Sequence, residues 1–338
     1  MPEFRQNPLS GDWVLLAQER GLREGTLEGV GPRFVTAGNG KAETCPFCPT
    51  ADDTDRVELD RLTLAGDSAP WRIRALENRY PAVVPNASGA SSVAVPGLGH
   101  HELILLSPLH HRYLIDMTLP EVALVVEMFQ RRWLTLRARE EVGAVSLFIN
   151  HGAGAGASQP HPHGQVIATA QVPDRLRRMA LRAREGALGH PETLYATLLA
   201  GETQGVEGSR RVFSAGGWRA VMPYAPEWPW ETWIIPERPA ASFAALSDTE
   251  RSALAEAVQR TLRLLERALG GAFPFNLILE LPPVGVPDHA EVFPWHVRIV
   301  PRLHVPGGYD LHAGNLINPV GPEEAAARLR GLVDSADI

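Results

Sequence analysis

Two segments of the chain share one pattern of hydrophobic and polar positions. Each begins with a short apolar run, 102–106 or 231–235, passes through a turn that contains proline, and continues with apolar residues at helical spacing. The polar residues that match between the segments are all 129 positions apart: Glu102 and Glu231, Glu121 and Glu250, Gln130 and Gln259. A constant offset over about thirty residues, without a gap, indicates a duplicated unit.

The same pattern predicts matching secondary structure in the two copies. Residues 118–121 and 247–250 have the form S/T-x-x-E, which is the capping-box signature of a helix start. An apolar strand follows each predicted helix, at 144–150 and 273–281, and a further strand comes after it. We therefore expect an α+β fold in which a strand–helix–strand–strand unit is duplicated, with antiparallel sheet and packed helices.

The repeat also predicts the organisation of the chain into two domains, residues 1–172 and 173–338. Between the two copies, residues 174–202 are rich in Arg and Ala, which favours one or two solvated connecting helices. Residues 321–335 predict an amphipathic helix with Pro322 near its start.

The composition excludes several classes of function. The 338 residues are 44% hydrophobic and 21% charged, as is usual for soluble globular proteins. A net charge of −7 provides no general attraction to nucleic acid or to an anionic membrane. The sequence shows neither a secretory signal nor an apolar run long enough to span a bilayer, so we expect a cytoplasmic protein without nucleic-acid or membrane partners.

The two cysteines of the chain, Cys45 and Cys48, form a C-x-x-C motif with prolines at 46 and 49. These prolines and the polar flanking residues predict a loop, whereas a thioredoxin-like motif would lie between a strand and a helix. The pair is therefore either half of a metal site or a thiol pair without a metal.

A further signal is the segment 159–165, QPHPHGQ, in which His161, His163 and Gln165 alternate. In a strand these side chains project from one face, and the proline between the histidines places the segment at a sheet edge or a strand start. Residues 150–158, just before it, contain alternating glycines. Such a loop is either a flexible linker or a phosphate cradle, and the adjacent histidines favour the cradle.

The cysteines and histidines together suggest a zinc site. A tetrahedral Cys2His2 site needs two histidines in addition to Cys45 and Cys48. The candidates are His110, His111, His161 and His163. The residue pattern alone leaves open which two of them are ligands.

These motifs resemble the galactose-1-phosphate uridylyltransferase family of the histidine-triad superfamily, over nearly the whole chain. The most specific match is HPHGQ; the others are NPLSGDWVLLAQER, the C-x-x-C, SPLHH, FINHGAGAGAS and GYDLHAGNLINPVGPEEAAARLR. The resemblance implies an α+β fold with a duplicated histidine-triad-like unit, a homodimer and one zinc ion per chain. It also implies a nucleotidyltransferase whose substrates are a nucleotide sugar and a hexose 1-phosphate.

The resemblance further implies a role for each matching residue. His163 would be the nucleophile that attacks the α-phosphorus of the nucleotide sugar, and Gln165 would hydrogen-bond the phosphoryl oxygens. The zinc ligands would be Cys45, Cys48, His110 and His161, with His110 preferred to His111. The nucleotide, phosphate or sugar contacts would be Arg20, Arg23, Asn78, Arg79, Asn150, Gly156, Ala157, Ser158, Tyr309 and Asp310.

The chemistry of these residues agrees with the implied roles. An imidazole is mostly neutral at pH 7 and is a ready nucleophile, provided that a backbone carbonyl holds its second nitrogen in one tautomer. Gln165 can position oxygens but cannot titrate, which favours transfer to a phosphorylated acceptor over hydrolysis. In the second copy Arg298 stands at the position equivalent to the nucleophile, and His296 is left without partner ligands. We therefore expect catalysis in the first copy alone and no second metal.

The leading interpretation is a UDP-glucose–hexose-1-phosphate (galactose-1-phosphate) uridylyltransferase that works by a ping-pong mechanism through a covalent uridylyl-histidine. Residues 314–326 resemble more closely a branch of the family that includes ADP-glucose phosphorylase, and Arg79 stands where other members carry an acidic residue. An adenylyltransferase of that branch is therefore an alternative. A non-catalytic nucleotide-binding protein with structural zinc and histidines is a third.

Overall fold

The fold arranges strands and helices in the order that the duplicated pattern predicts. The computed structural model describes residues 1–22, 42–49, 56–64, 66, 69–87, 89, 94–189, 195 and 209–333. Its strands are β1 (Glu3–Gln6), β2 (Trp13–Leu16), β3 (Glu58–Leu62), β4 (Ile73–Glu77), β5 (Gly99–Leu105), β6 (Ala144–His151), β7 (His163–Thr169), β8 (Arg211–Ala215), β9 (Trp218–Val221), β10 (Thr232–Pro236), β11 (Phe275–Glu280), β12 (His296–Pro301) and β13 (Leu316–Asn318). Its α-helices are α1 (Leu119–Arg137), α2 (Asp174–Gly189), α3 (Asp248–Leu269), α4 (Gly308–Ala313) and α5 (Pro322–Val333).

One continuous antiparallel sheet of ten strands forms the centre of the described structure. Its strand order is β3-β4-β5-β7-β6-β11-β12-β10-β9-β8, so the second half repeats the order of the first half in reverse. The halves meet where β6 pairs with β11. A smaller sheet has the order β1-β2-β13, with β13 parallel to β2. The α+β class with antiparallel sheet and packed helices is confirmed, whereas the division at residues 172 and 173 stays a prediction because both halves share one sheet.

The two long helices begin with the capping boxes that the sequence predicts. In α1 the backbone N–H of Thr118 donates to a Glu121 carboxylate oxygen at 2.8 Å. In α3 the N–H of Ser247 donates to Glu250 at 2.9 Å. Each box satisfies N–H groups that the first helical turn leaves without partners. The helix starts are thus fixed locally, in both copies alike.

Two buried glutamines join the copies across their common centre. The side-chain amide of Gln130 in α1 donates to the Phe243 carbonyl at 2.8 Å, and the amide of Gln259 in α3 donates to the Leu114 carbonyl at 2.6 Å and the Met117 carbonyl at 2.8 Å. Each glutamine therefore binds the turn that precedes the other copy's helix. The contacts are reciprocal, and the offset of 129 residues holds throughout this region.

The same offset does not hold in the strands. The Glu102 carboxylate of β5 accepts from Arg132 of α1 at 2.7 and 2.8 Å, so it lies on the helix side of the sheet. The Glu231 carboxylate accepts from Arg298 of β12, whose neighbours Val297 and Ile299 belong to the core under the helices. Since alternate strand residues face opposite sides, Glu231 lies on the other face. The match of Glu102 with Glu231 in sequence is therefore not a match of side-chain positions.

The second copy keeps a buried ion network where the first has its histidines. Arg298 is 5% exposed and contacts three carboxylates, those of Glu227, Glu231 and Glu280. Burial alone would lower the pKa of Arg298, but the three carboxylates outweigh this effect and raise the pKa above its usual value. Beside it the His296 ring stacks on Trp233 at 4.1 Å. Burial lowers the pKa of His296 to about 4, so this imidazole is neutral at pH 7.

The connecting helix α2 differs from the solvated helix that its sequence favours. Met179 on its inner side is 1% exposed. Arg182 Nε donates to the Pro8 carbonyl at 3.0 Å, and Arg175 Nη1 donates to Glu227 at 2.9 Å. Arginines in this helix therefore anchor it to the body of the protein, and only its outer face is solvated. Of residues 190–202, which belong to the same prediction, only Tyr195 is described.

The predicted C-terminal helix is confirmed as α5, which begins at Pro322. None of the described helices combines the length and the apolar character needed to cross a membrane.

The reciprocal glutamines predict a measurable loss of stability. Gln259→Met keeps about the same volume but leaves the Leu114 and Met117 carbonyls buried without a donor, so the free energy of unfolding should fall by about 1–3 kcal/mol. Urea unfolding of the two proteins measures this. Glu256→Met, at an exposed position of the same helix, is the control and should change stability by less than about 0.5 kcal/mol. Equal effects of the two substitutions would contradict the role of Gln259.

Candidate active site and metal cluster

Four buried side chains meet at one end of the first half of the sheet. Cys45 and Cys48 lie in a turn after a short 3-10 helix, His110 follows β5, and His161 precedes β7. The ligand atoms of all four lie within 4.8 Å of one another. His111 is exposed and contacts the cluster only through its ring, which stands edge-on to His110 at 4.4 Å. The structure thus brings together the four residues named from the sequence, and the loop expected for the cysteines is present.

The spacing of these atoms fits a tetrahedral metal ion. Cys48 Sγ lies 3.3 Å from His110 Nδ1 and 3.6 Å from His161 Nδ1, and Cys45 Sγ lies 3.7 Å from the same His161 nitrogen. A tetrahedral site with metal–sulfur bonds of about 2.3 Å and metal–nitrogen bonds of about 2.0–2.1 Å requires S···N separations of about 3.5 Å. The group is therefore able to bind one metal ion.

The protonation of the cluster is also suited to a cation. His161 Nε2–H donates to the Ser107 carbonyl at 2.8 Å, which leaves the Nδ1 lone pair directed at the two sulfurs. Burial, partly offset by this bond, lowers the pKa of His161 to about 4. Burial and the neighbouring Cys45 thiol raise the pKa of Cys48 to about 11 in the absence of an ion, which a bound cation would reverse. Charge at the sulfurs thus depends on the metal.

His163 lies two residues beyond the cluster, at the first position of β7. It is 5% exposed, and its Nδ1–H donates to the His161 carbonyl at 2.9 Å. This bond selects the tautomer in which Nε2 carries the lone pair. Burial lowers the pKa of His163, and the carbonyl bond offsets that effect only in part. The residue is therefore a neutral imidazole with one nitrogen fixed and the other available as a nucleophile.

A pocket that is partly open to solvent adjoins His163. Three aromatic rings form part of its wall: His151 stacks on Phe275 at 4.7 Å and meets Tyr113 edge-on at 4.6 Å. Burial lowers the pKa of His151 to about 4, so this ring is neutral as well. Sequence reasoning missed these three residues, because they come from three separate segments and share no motif.

The glycine loop between β6 and β7 forms a tight turn at the mouth of the cavity. Gly152 and Gly156 adopt positive φ angles of 80° and 86°. The N–H groups of Gly156 and Ala157 bond to carbonyls within the loop. The predicted phosphate contacts in this loop are Gly156, Ala157 and Ser158. Of these, Ser158 has donors without a partner among the described residues, and its side chain is exposed.

The second half of the sheet supports this loop. Asn276 of β11 donates through its side-chain amide to Asn150 Oδ1 at 2.8 Å and to the Ala155 carbonyl at 2.9 Å. Asn150, which the sequence predicts as a nucleotide contact, therefore has its oxygen engaged and lines the cavity. The position of the loop depends on both copies.

Gln165 lies on the same strand as His163, two residues on, and contacts a residue that sequence reasoning missed. His101 Nε2 of β5 is 2.9 Å from Gln165 Oε1. Asn78 Nδ2 lies 3.0 Å from the same ring nitrogen, so the predicted contact residue Asn78 joins this group. Alternate residues of a strand share one face, so HHELILL could have placed His101 on the face of the site. That step required the pairing register of β5 and β7, which the sequence does not give.

The remaining predicted contact residues that the structure describes do not line the pocket beside His163. Arg20 and Arg79 are exposed, and Tyr309 of α4 is 44% exposed. The Asp310 carboxylate is buried and accepts from the N–H groups of Gly307 and Ile317, so it orders the segment that carries Tyr309. Arg23 lies outside the described residues.

The fold and the site define a protein in which a Cys2His2 cluster able to bind a metal ion adjoins a buried, neutral histidine at the start of a strand. Residues 1–173 match the family described as "Galactose-1-phosphate uridyl transferase, N-terminal domain". This is half of the chain, and the protein therefore belongs to the galactose-1-phosphate uridylyltransferase family. The resemblance inferred from its motifs is confirmed.

Relatives match over nearly full length. The chain is 27% identical to ADP-glucose phosphorylase from Arabidopsis thaliana, over 97% of this chain and 92% of that protein. It is 26% identical to galactose-1-phosphate uridylyltransferase from Haemophilus influenzae, over 98% and 94%. The crystal structure of the Arabidopsis ADP-glucose phosphorylase with bound ADP-glucose superposes with a TM-score of 0.81 at 25% identity, covering 98% of this chain and 99% of that one. A uridylyltransferase structure, at 24% identity and a TM-score of 0.75, shares the fold.

Proposed function

We propose that the protein transfers the uridylyl group of UDP-glucose to a hexose 1-phosphate, galactose 1-phosphate in the first instance, through a covalent intermediate on His163. The observation that carries this proposal is the imidazole itself. Its Nδ1–H is bound to the His161 carbonyl, which leaves Nε2 unprotonated at a cavity. Family membership supports the same chemistry, since the matching relatives include proteins named galactose-1-phosphate uridylyltransferase.

The reaction proceeds in two balanced displacements. The Nε2 lone pair of His163 attacks the α-phosphorus, an N–P bond forms, and the P–O bond to glucose 1-phosphate breaks with its electron pair on the departing oxygen. The imidazole keeps its Nδ1 proton and carries a positive charge while the nucleotidyl group is attached. A phosphate oxygen of the acceptor then attacks phosphorus, and the N–P bond breaks to return the neutral imidazole. Neither step requires a proton from the protein.

The surrounding residues bind and orient the substrates. Gln165 donates to the phosphoryl oxygens, Ser158 and the glycine loop meet the phosphates, and Asn78 and Arg79 contact the nucleotide. Asn150, Gly156 and Ala157 shape the cavity beside them. Arg20 and Arg23 meet the phosphates or the sugar, and Tyr309 and the segment ordered by Asp310 contact the hexose across a homodimer. Donors directed at the reacting phosphoryl group act where charge spreads in the transition state.

The metal that best suits the cluster is zinc, one ion per chain. Two thiolates and two imidazoles at tetrahedral spacing are the ligand set of closed zinc sites. With four protein ligands the ion has no open position, so its contribution is structural: it ties the cysteine turn and His110 to His161. His161 is in turn the residue whose carbonyl binds His163.

The adenine-specific alternative keeps the same mechanism. It is favoured by the full-length match to ADP-glucose phosphorylase and by the TM-score of 0.81 to its structure with bound ADP-glucose. In that case His163 takes an adenylyl group, and phosphate is the acceptor.

The covalent step predicts a labelled protein. Incubation with UDP-glucose that carries a label at the α-phosphorus should leave label on the chain, whereas His163→Gly should take none because it has no nucleophile. His111→Asn, which changes an exposed histidine outside the cluster, is the control and should label normally. Label on His163→Gly would refute the role of this residue. Absence of label on the unsubstituted protein with every nucleotide sugar would favour a non-catalytic nucleotide-binding protein.

The nucleotide specificity is decided by initial rates. UDP-glucose with galactose 1-phosphate should be converted at least about tenfold faster than ADP-glucose with phosphate, a difference of about 1.4 kcal/mol in transition-state binding. The reverse order would establish the adenylyl alternative and leave the histidine mechanism intact.

The metal proposal predicts one zinc per chain by elemental analysis. Cys45→Ser should lose the zinc and lower the free energy of unfolding, because the metal contributes to folding. His111→Asn should keep both. A full zinc content in Cys45→Ser, or a different metal in the purified protein, would contradict the assignment.

A further inference from the structure

His101 is a half-buried histidine on β5 that none of the proposed catalytic steps uses. It pairs with Ile167 in the β5–β7 register, and its ring approaches Gln165, two positions earlier on β7. Three polar groups surround the ring. The Ala82 backbone N–H lies 3.0 Å from Nδ1, and Gln165 Oε1 lies 2.9 Å from Nε2. Asn78 Nδ2 lies 3.0 Å from Nε2 and 3.3 Å from Nδ1.

The backbone contact decides the tautomer of His101. A backbone N–H can only donate, and its direction is fixed by the chain, so Nδ1 must carry a lone pair. A neutral imidazole then has its proton on Nε2, which donates to Gln165 Oε1. The Asn78 amide, 3.3 Å from Nδ1, can donate to the same lone pair. The opposite tautomer would place an N–H against the Ala82 N–H and a lone pair against Gln165 Oε1, and would keep only the contact with Asn78 at Nε2. The tautomer with its proton on Nε2 satisfies both the Ala82 and the Gln165 contacts and is therefore favoured.

The tautomer of His101 in turn decides which end of the Gln165 amide faces the site. Oε1 is held by the ring, so the Nε2H2 group is the free end, and it has no partner among the described residues. This end can donate to a phosphoryl oxygen. If the amide rotated by half a turn, its oxygen would face the phosphate instead and repel it. A glutamine alone has no preference between these two orientations.

We propose that His101 is a positioning residue that holds the Gln165 amide with its NH2 group toward the transferring phosphoryl group. This proposal rests on the proposed function, because it assigns the site of that same transfer a further determinant. The relay runs from the Ala82 N–H through the imidazole to the amide oxygen, and it supplies a donor of fixed direction where charge develops.

The test is the single-turnover rate at which the protein takes label from α-phosphorus-labelled UDP-glucose, or from ADP-glucose if that is the faster donor. His101→Asn keeps an acceptor near the Nδ1 position but cannot reach Gln165, so the rate should fall about tenfold with little change in the donor concentration for half-saturation. His101→Gln places an amide near the Nε2 position and should recover most of the rate. His100→Asn is the matched control, since the neighbouring His100 bonds Glu141 and should leave the rate unchanged.

A double substitution separates positioning from a general structural effect. If His101 acts through Gln165, then His101→Asn should have no further effect in a Gln165→Ala protein. A purely structural role would slow both backgrounds equally, and that result would overturn the proposal. The tautomer is read independently from a nitrogen–proton correlation spectrum of the histidine-labelled protein, where the His101 signals, identified by their loss in His101→Asn, should show the proton on Nε2. A proton on Nδ1 would overturn the proposal.

The outcomes also distinguish this proposal from the proposed function. Label on the unsubstituted protein together with undiminished labelling of His101→Asn overturns the role of His101 and leaves the transferase intact. No label on the unsubstituted protein with any nucleotide sugar overturns the transferase, and the role of His101 with it.

Discussion

The site depends on one constraint, the two-residue spacing of His161 and His163 at the point where β7 begins. His161 is held from two sides, by the Cys2His2 cluster at Nδ1 and by the Ser107 carbonyl at Nε2. Its own carbonyl oxygen accepts from His163 Nδ1–H. The position of His161 therefore fixes the tautomer of His163. The Cys2His2 cluster thus determines the direction of the backbone that orients His163.

The second copy of the unit supports the first at places where the first could not support itself. A β6 strand at the edge of a five-stranded sheet would leave its outer hydrogen-bonding groups unpaired, and β11 covers them. Asn276 of that strand then binds both Asn150 and the Ala155 carbonyl, so the glycine loop is held from the other half of the chain. The buried charges around Arg298 occupy the face of the second copy that corresponds to the site, and they pack it with ion pairs instead of a cavity. The duplication thus serves stability and loop placement.

The sequence predicts the features that depend on local chemistry. The capping boxes at Thr118 and Ser247 and the loop at Cys45 follow from residue types at fixed spacing, and the structure has each of them. The four residues of the cluster follow from the resemblance of the motifs to the family, and the structure brings them together. The sequence does not predict the features that depend on the pairing register of the strands. Glu102 and Glu231 match in sequence but face opposite sides of the sheet, because a shift of one residue in a strand exchanges its faces. His101, His151 and Phe275 reach the site through pairing between distant strands, which no spacing along the chain encodes. Helix α2 is anchored by partners more than fifty residues away, such as Pro8.

The arrangement of the titratable groups bears on the choice between transfer and hydrolysis. Attack by water on a nucleotidyl-histidine needs a base, whereas a phosphorylated acceptor already carries the anionic oxygen that attacks. Three imidazoles are committed otherwise under the proposed function: His161 belongs to the cluster, His163 would carry the nucleotidyl group, and the lone pair of His101 Nδ1 accepts from the Ala82 N–H. Gln165 has no proton to exchange. Around Gln165 the described residues thus offer a directed donor for an incoming phosphate, and this distribution of protons favours a transferase.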